Sequence, residues 1–216
     1  MGQLFSDDTE LSYEIIQKLT TPRNVNTDKT KLLFIFDYDD TFLPTNHFFR
    51  TNFNLSSREF VILQAISQKV KLLLTYCLSQ GIVYVISNAN KSWLIQTSVR
   101  FLQLPLNLLK KINIITSQDL YKELPNDKRK EQAFNELNNE FIKAKKVINI
   151  GDSTDEFLCA QRIRLRYKHL SLINIKFQYE PSLIALDKEL RYLIEHIEEF
   201  INTNDNLNID MNSGLF

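Results

Sequence analysis

Asp37 and Asp39 stand two residues apart at the end of an apolar run, LLFIFDYDDT from Leu32 to Thr41, which closes on a threonine. Two carboxylates at the end of a buried segment lose solvation, and a cation must restore it. Mg²⁺ suits them, being hard, octahedral and selective for oxygen ligands. The run ahead of them is apolar at every position, the pattern of a strand covered on both faces in a parallel sheet. In open α/β sheets the carboxyl end of such a strand is where ligands bind. A second apolar run, IVYVIS from Ile82 to Ser87, ends in a hydroxyl. A third, beginning at Val147, runs through VINIGDSTDE into Asp152 and, four residues later, Glu156. Between these two runs, Lys128 and Lys130 open a helical pattern.

This order of strands and polar residues resembles the four motifs of the haloacid dehalogenase (HAD) superfamily of aspartate-nucleophile phosphotransferases. More narrowly, FDYDDTFLPT, SNANKSW, YKELPNDKRKEQAF and IGDSTDE are similar to a little-characterised eukaryotic group of capless HAD proteins. The forms of that group read FDFDDT, TNA-x-x-W and GDS-x-x-E. The resemblance runs from Lys31 to Ile201. It implies an α/β, HAD-like Rossmannoid fold with a mostly parallel central sheet flanked by helices. It also implies a Mg²⁺-dependent phosphatase acting on phosphomonoesters through an aspartyl-phosphate.

The same resemblance implies roles for individual residues. Asp37 would attack phosphorus in line, and Asp39 would serve as acid and base. Thr41 would fix the turn and orient Asp39, while Asp40 takes the variable place as a loop residue. Ser87 and the backbone amides near Asn88 would hold the phosphoryl oxygens, with Thr41 on the same side of the site. A lysine would balance transition-state charge; Lys130 matches the pattern K-x-x-A-F of the capless group, and Lys128 is the alternative. Mg²⁺ would take oxygens from Asp37, the Asp39 backbone carbonyl and Asp152, with Glu156 binding a metal water. The family more often has Asp at the place of Glu156, and Asp155 is an alternative there.

Spacing bears on the substrate. Only Phe42 to Leu55 precede the first long helix, too few for a folded lid, and Ser87 to Lys130 leave room for a helix, a strand and a loop. No cap domain is expected, and an open site is compatible with proteins or other large phosphorylated substrates. Pro44 to Phe53 form an irregular segment whose His47, Phe48, Phe49 and Arg50 either rim the opening or pack under a loop. Two other readings stand beside hydrolysis. One is a catalytically silent module that binds a phosphorylated partner, against which an intact Asp39 argues. The other is phosphoryl transfer to an acceptor other than water.

The chain has 216 residues, within reach of one domain with a full core. Lys plus Arg and Asp plus Glu both number 26, so no global field favours nucleic acid or an anionic membrane. Cys77 and Cys159 fall in apolar helical patterns and read as buried free thiols; His47, His169 and His196 make no ligand set. With no apolar run of about 18 residues and no leader, stable membrane insertion is not expected and a cytoplasmic location is. Gly2 with Ser6 fits a myristoylation pattern, a weak anchor at most without a basic cluster or second acyl site.

The elements that must position these groups alternate between strand and helix patterns, which points to right-handed crossovers. Ser56 and Glu59 form a capping box for a helix carrying Phe60, Leu63, Ile66, Val70, Leu73, Leu74 and Cys77 at helical spacing until Gly81. Helices are expected at Lys91 to Phe101, at Asp127 to Ala144 with Asp127 as cap, and around Phe157 to Arg164. Strands are expected at Lys111 to Thr116 and Ser171 to Phe177. Pro181 begins a last amphipathic helix with Leu183, Leu186, Leu190, Ile194, Ile197 and Ile201 on one face. Residues 1–30 are read as an N-terminal segment, 31–201 as the domain, and the Asn-rich 202–216 as a disordered tail.

Overall fold

A computed structural model of the chain describes residues 31–213. The N-terminal segment 1–30, with Gly2, lies outside the described residues. The elements are β1 (Leu32–Phe36), α1 (Thr45–Arg50), α2 (Ser57–Gln80), β2 (Ile82–Ser87), α3 (Lys91–Arg100), α4 (Leu106–Leu109), β3 (Asn113–Thr116), α5 (Ser117–Leu120), α6 (Asn126–Asn135), α7 (Asn138–Lys143), β4 (Lys146–Gly151), α8 (Thr154–Arg166), β5 (Ser171–Lys176), α9 (Leu183–Asn202) and β6 (Leu207–Asp210). All six strands are parallel, in the order β3-β2-β1-β4-β5-β6. The chain lays β2 and β3 on one side of β1, then crosses to build β4, β5 and β6 on the other. That reversal opens a crevice beyond the carboxyl ends of β1 and β4, the place where doubly wound sheets bind ligands.

Alternation along β1 explains its unbroken apolarity. Phe34 and Phe36 face a layer containing α2 and α9, while Leu33 and Ile35 face α6, α7 and α8. The capping box of α2 forms as expected, with Glu59 N donating to Ser56 Oγ and Ser56 N donating to Glu59. Its apolar stripe from Leu63 to Cys77 is buried, although Phe60 at its start is 48% exposed. Among the described residues α2 is the one helix long and apolar enough to cross a membrane; half of its apolar window is buried, because it packs on α9. A buried ion pair joins these two helices, Lys69 Nζ to Asp187 Oδ1 at 2.8 Å. Cys77 and Cys159 are buried and free.

Two expected elements differ. The helix over Asp127 to Ala144 is two helices, α6 starting at Asn126 behind Pro125 and α7 starting at Asn138. Leu137 turns the chain between them, donating its N–H to Phe134 O at 3.1 Å while its side chain is buried. Phe134, Leu137 and Phe141 keep helical spacing across the break, so no Gly or Pro marks it. The expected disordered tail is also corrected, since residues 207–210 form β6, paired in parallel with β5. Its Asn residues are structural. Asn149, Asn174 and Asn208 lie in register across three strands, with Asn149 Nδ2 donating to Asn174 Oδ1 at 2.9 Å and Asn174 Nδ2 to Asn208 Oδ1 at 3.5 Å. Asn206 Oδ1 accepts from Leu172 N at 2.9 Å, and Met211 is buried beyond the strand.

Candidate active site

The crevice collects charge because two strand ends and two helices deliver it there. Asp37 N donates to Ile150 O at 2.9 Å, extending the β1–β4 ladder by one residue and fixing Asp37 at the mouth. Asp152 follows β4, and Glu156 sits in the first turn of α8. Ligand oxygens of Asp37, Asp152 and Glu156 lie within 4.8 Å of one another. Lys130 reaches in from α6, its Nζ in contact with Asp37 Oδ1 and 2.6 Å from Glu156 Oε1. All four side chains are buried. Glu156 is folded back by a capping box, with Ser153 N donating to its Oε2 at 2.9 Å. A Cβ on Gly151 would stand 2.5 Å from that oxygen, so the end of β4 needs glycine for this approach.

Negative charge exceeds positive charge in this cluster. Burial raises the Asp37 carboxyl well above its usual range, against the pull of Lys130. Burial likewise raises Asp152 to about 7, with the charges of Glu156 and Asp40 adding to it. For Glu156 burial acts upward too, but Lys130 and Ser153 outweigh it and hold the carboxyl low. Burial opposes the charge on Lys130, and Asp37 and Glu156 overcome that effect, so the amine stays protonated. One amine among three buried carboxylates leaves room for further positive charge.

Asp39 has different surroundings. Thr45 Oγ1 donates to its Oδ1 at 2.6 Å, Trp93 Nε1 donates to the same oxygen at 3.2 Å, and Ser87 Oγ donates to Oδ2 at 3.1 Å. Ser87 in turn accepts from Ala89 N at 2.9 Å. The turn carrying Asp39 is pinned from both sides. Tyr38 is buried, its hydroxyl 2.7 Å from Thr97 Oγ1 and accepting from Ser98 Oγ at 3.0 Å. Asp40 takes φ 56°, a left-handed conformation that Asp tolerates better than most residues, and accepts from Asn46 N at 3.0 Å. Its carboxyl is buried and therefore raised.

The structure thus brings together Asp37, Lys130, Asp152 and Glu156, with Asp39 and Ser87 joined to each other beside them. It sorts the two candidate lysines, since Lys128 is exposed and 3.4 Å from Glu131 on the same helix. Thr41 is buried, but no side-chain partner is found for its Oγ1, and Thr45 takes the orienting role expected of it. Asn88 is exposed and its Oδ1 accepts from Ser117 Oγ at 2.6 Å, while Asp155 points to solvent. Glu156 contacts Lys130 through Oε1 and Ser153 N through Oε2, while its carboxylate remains within reach of Asp37 and Asp152. Thr45 and Trp93 are given no role by the sequence, and Asp40, read there as a loop residue, is buried. Trp93 stands inside the SNANKSW segment and was legible as part of a pattern, whereas Thr45 reaches Asp39 only because the turn folds back.

The segment 44–53 is not irregular throughout, because Thr45–Arg50 form α1. Phe48 is buried, whereas Phe49 is 57% exposed and Phe53 40% exposed. Arg50 pairs with Glu180, tying the end of α1 to the loop after β5. The three histidines are occupied locally: His47 Nε2 lies 3.0 Å from Glu59, and His169 and His196 lie against backbone carbonyls.

The loop after β5 is anchored by Glu189, whose Oε1 accepts from Gln178 N at 2.6 Å. Burial, with a smaller contribution from Asp152, pushes this carboxyl up to about 8. Between the unfolded value near 4.5 and about 8, the folded state keeps a proton that the unfolded state releases. Stability therefore falls as pH rises through that window. Glu189→Gln, which mimics the protonated form, is expected to remove on the order of 3 kcal/mol of this loss. Urea melts of both proteins at pH 5 and pH 8 test it, and identical pH slopes would show that Glu189 does not carry the effect.

Comparison of the chain with protein-family models, with curated proteins and with solved structures gives no match.

Proposed function

We propose that the chain is a Mg²⁺-dependent phosphomonoester hydrolase of HAD type, acting through an aspartyl-phosphate on Asp37. The observation that carries this reading is the buried Lys130, which bridges Asp37 and Glu156 at the sheet's switch point beside a separately held Asp39. A carboxylate flanked by a fixed cation and a second carboxylate in a different setting is the arrangement nucleophilic phosphoryl transfer requires.

The residues fit Mg²⁺. The available donors are oxygens, buried carboxylates outnumber the single amine, and burial raises Asp37 and Asp152 for want of positive charge. Asp37 and Asp152 would hold the ion. When bound it would neutralise the repulsion between a carboxylate nucleophile and a phosphate dianion.

The chain's own residues then divide the reaction. An Asp37 oxygen bonds to phosphorus while the ester P–O bond breaks, its electron pair staying on the leaving oxygen, which takes a proton from Asp39. Asp39 next accepts a proton from water as the water oxygen bonds to phosphorus. The Asp37–phosphorus bond breaks, and inorganic phosphate leaves. Lys130 neutralises charge that builds up beside Asp37, and Glu156 keeps the lysine in place. Thr45, Trp93 and Ser87 fix the direction of the Asp39 carboxyl. With only α1 between β1 and α2, the opening admits large substrates, and two free thiols accord with a cytoplasmic setting.

Asp39→Asn tests the assignment. Alkyl esters, whose oxygen needs a proton to leave, are expected to lose roughly 10²- to 10⁴-fold in the first transfer. Activated aryl esters should lose much less in that step, and binding of inorganic phosphate should persist. Single-turnover kinetics over a series of leaving groups provides the comparison. Equal loss for all leaving groups would remove Asp39 as general acid. A wild-type protein inert toward every ester with Mg²⁺ would leave the phosphate-binding module as the reading.

A further inference from the structure

Beside the carboxylate of Asp39 begins a patch of aromatic surface that the steps above do not use. Trp93 Nε1 donates to Asp39 Oδ1 at 3.2 Å, so the indole is fixed against the proton-transferring group. Phe49 stacks on Trp93 with centroids 5.8 Å apart and an interplanar angle of 9°. Phe53 stands edge-on to Trp93 at 6.3 Å and to Phe49 at 5.7 Å. Behind them Phe101 and buried Phe48 form the floor, 4.7 Å from each other and 5.9 Å and 5.7 Å from Phe53 respectively. Phe49 and Phe53 nevertheless keep 57% and 40% of their surface in solvent. Contiguous exposed rings on a fixed base, adjoining polar groups, are a recognition feature rather than core.

We propose that this shelf receives an aromatic ring bonded directly to the ester oxygen, so that the site's substrates are aryl phosphomonoesters. The inference rests on the phosphomonoester reading and specifies its substrate. Continuity with Asp39 selects the occupant. The leaving oxygen must lie within reach of the Asp39 carboxyl to take its proton, and Trp93 already touches that carboxyl. A ring one bond from the oxygen therefore meets the shelf at once, whereas a sugar, glycerol or seryl leaving group would place hydroxyls or amides against apolar rings without partners. A nucleoside base is set back from the oxygen by its ribose. The same chemistry comes from two sources, a phosphotyrosine side chain in an exposed peptide or a small aryl phosphate.

Trp93 is the chain's single tryptophan, so its fluorescence reports occupation of the shelf. At alkaline pH phenylphosphonate and propylphosphonate are both dianions, and neither is an ester, so their titration there needs no turnover. Phenylphosphonate is expected to change the emission and to bind about 3- to 10-fold more tightly, the range of one aromatic contact. Phe49→Ala, at an exposed position, should bring phenylphosphonate down to the propyl value and leave propylphosphonate unchanged. Equal affinities in the wild-type protein, an equal loss of both ligands in the variant, or tighter binding of a nucleoside 5′-methylphosphonate than of phenylphosphonate would each overturn the proposal. A peptide containing phosphonomethyl-phenylalanine, compared with the free amino acid, separates the sources: tighter peptide binding identifies a protein substrate, and equal binding a small one. Ring-selective binding by a protein that hydrolyses no ester would refute the phosphatase reading and keep the shelf. Hydrolysis without ring selectivity would do the reverse.

Discussion

Asp37→Asn is expected to lower hydrolysis of every phosphate ester by roughly 10⁴-fold or more, because Asp37 is the group proposed to form the covalent intermediate. The fold should survive. Asp37 continues the β1–β4 ladder through its backbone, which the substitution keeps, and burial already disfavours its charge. The Asn side-chain oxygen can still accept from Lys130, and Lys130 retains Glu156 as its ionic partner. Thermal stability equal to or above that of the wild type is therefore expected alongside the loss of turnover. Single-turnover kinetics with ³²P-labelled ester, together with acid-quenched protein, should show label on the wild-type chain and none on the variant. Wild-type turnover in Asp37→Asn, or label that persists, would overturn the assignment of the nucleophile.

Lys130→Met carries the second large effect and has two separable parts. The amine bridges two buried carboxylates, so its removal leaves Glu156 and Asp37 facing each other unpaired, at a cost of about 3–5 kcal/mol. Loss of transition-state charge balance should lower kcat by about 10²- to 10³-fold. Pairing it with Glu156→Met removes one of the two unpaired carboxylates and should recover part of the stability while leaving activity low. Lys128→Ala, on the exposed face of α6, should change stability by no more than about 0.5 kcal/mol and leave activity unchanged. Denaturation midpoints and kcat for the four proteins decide it. A Lys128→Ala defect larger than that of Lys130→Met would transfer the role to Lys128.

The strands that build the crevice were legible because burial on both faces selects apolar residues, throughout β1 and in β4 apart from Lys146 and Asn149. Asp37 and Asp152 were legible as the first acids after such runs. Lys130 was preferred over Lys128 on a pattern alone, and helical phase explains it: two residues apart on α6, they point to different sides. What the sequence concealed depended on tertiary contact. Thr45 replaces Thr41 beside Asp39 because the chain reverses after β1, a matter of turn geometry with no compositional mark. β6 was hidden by composition, since Asn-rich polar segments resemble disorder. Its signal was register: Asn-Ile recurs at 149, 174 and 208, and these asparagines form one row across β4, β5 and β6. The break at Leu137 stayed invisible because apolar spacing continues through it.

The strand order also dictates when, during synthesis, the buried acid and lysine cluster can be completed. β1 is made first but lies at the centre of the sheet, and its partner β4 emerges only after β2 and β3 have been added on the other side. At ribosomal speeds of roughly 5–20 residues per second, Asp37 precedes Asp152 by about 10 s. For that interval the nascent chain can pair β1 with β2 and β3 while the opposite edge of β1 stands open, and Asp37 has neither Asp152 nor Glu156 beside it. A ribosome-bound chain stalled before β4 would thus be half a sheet with an exposed central strand, in need of shielding from other nascent chains.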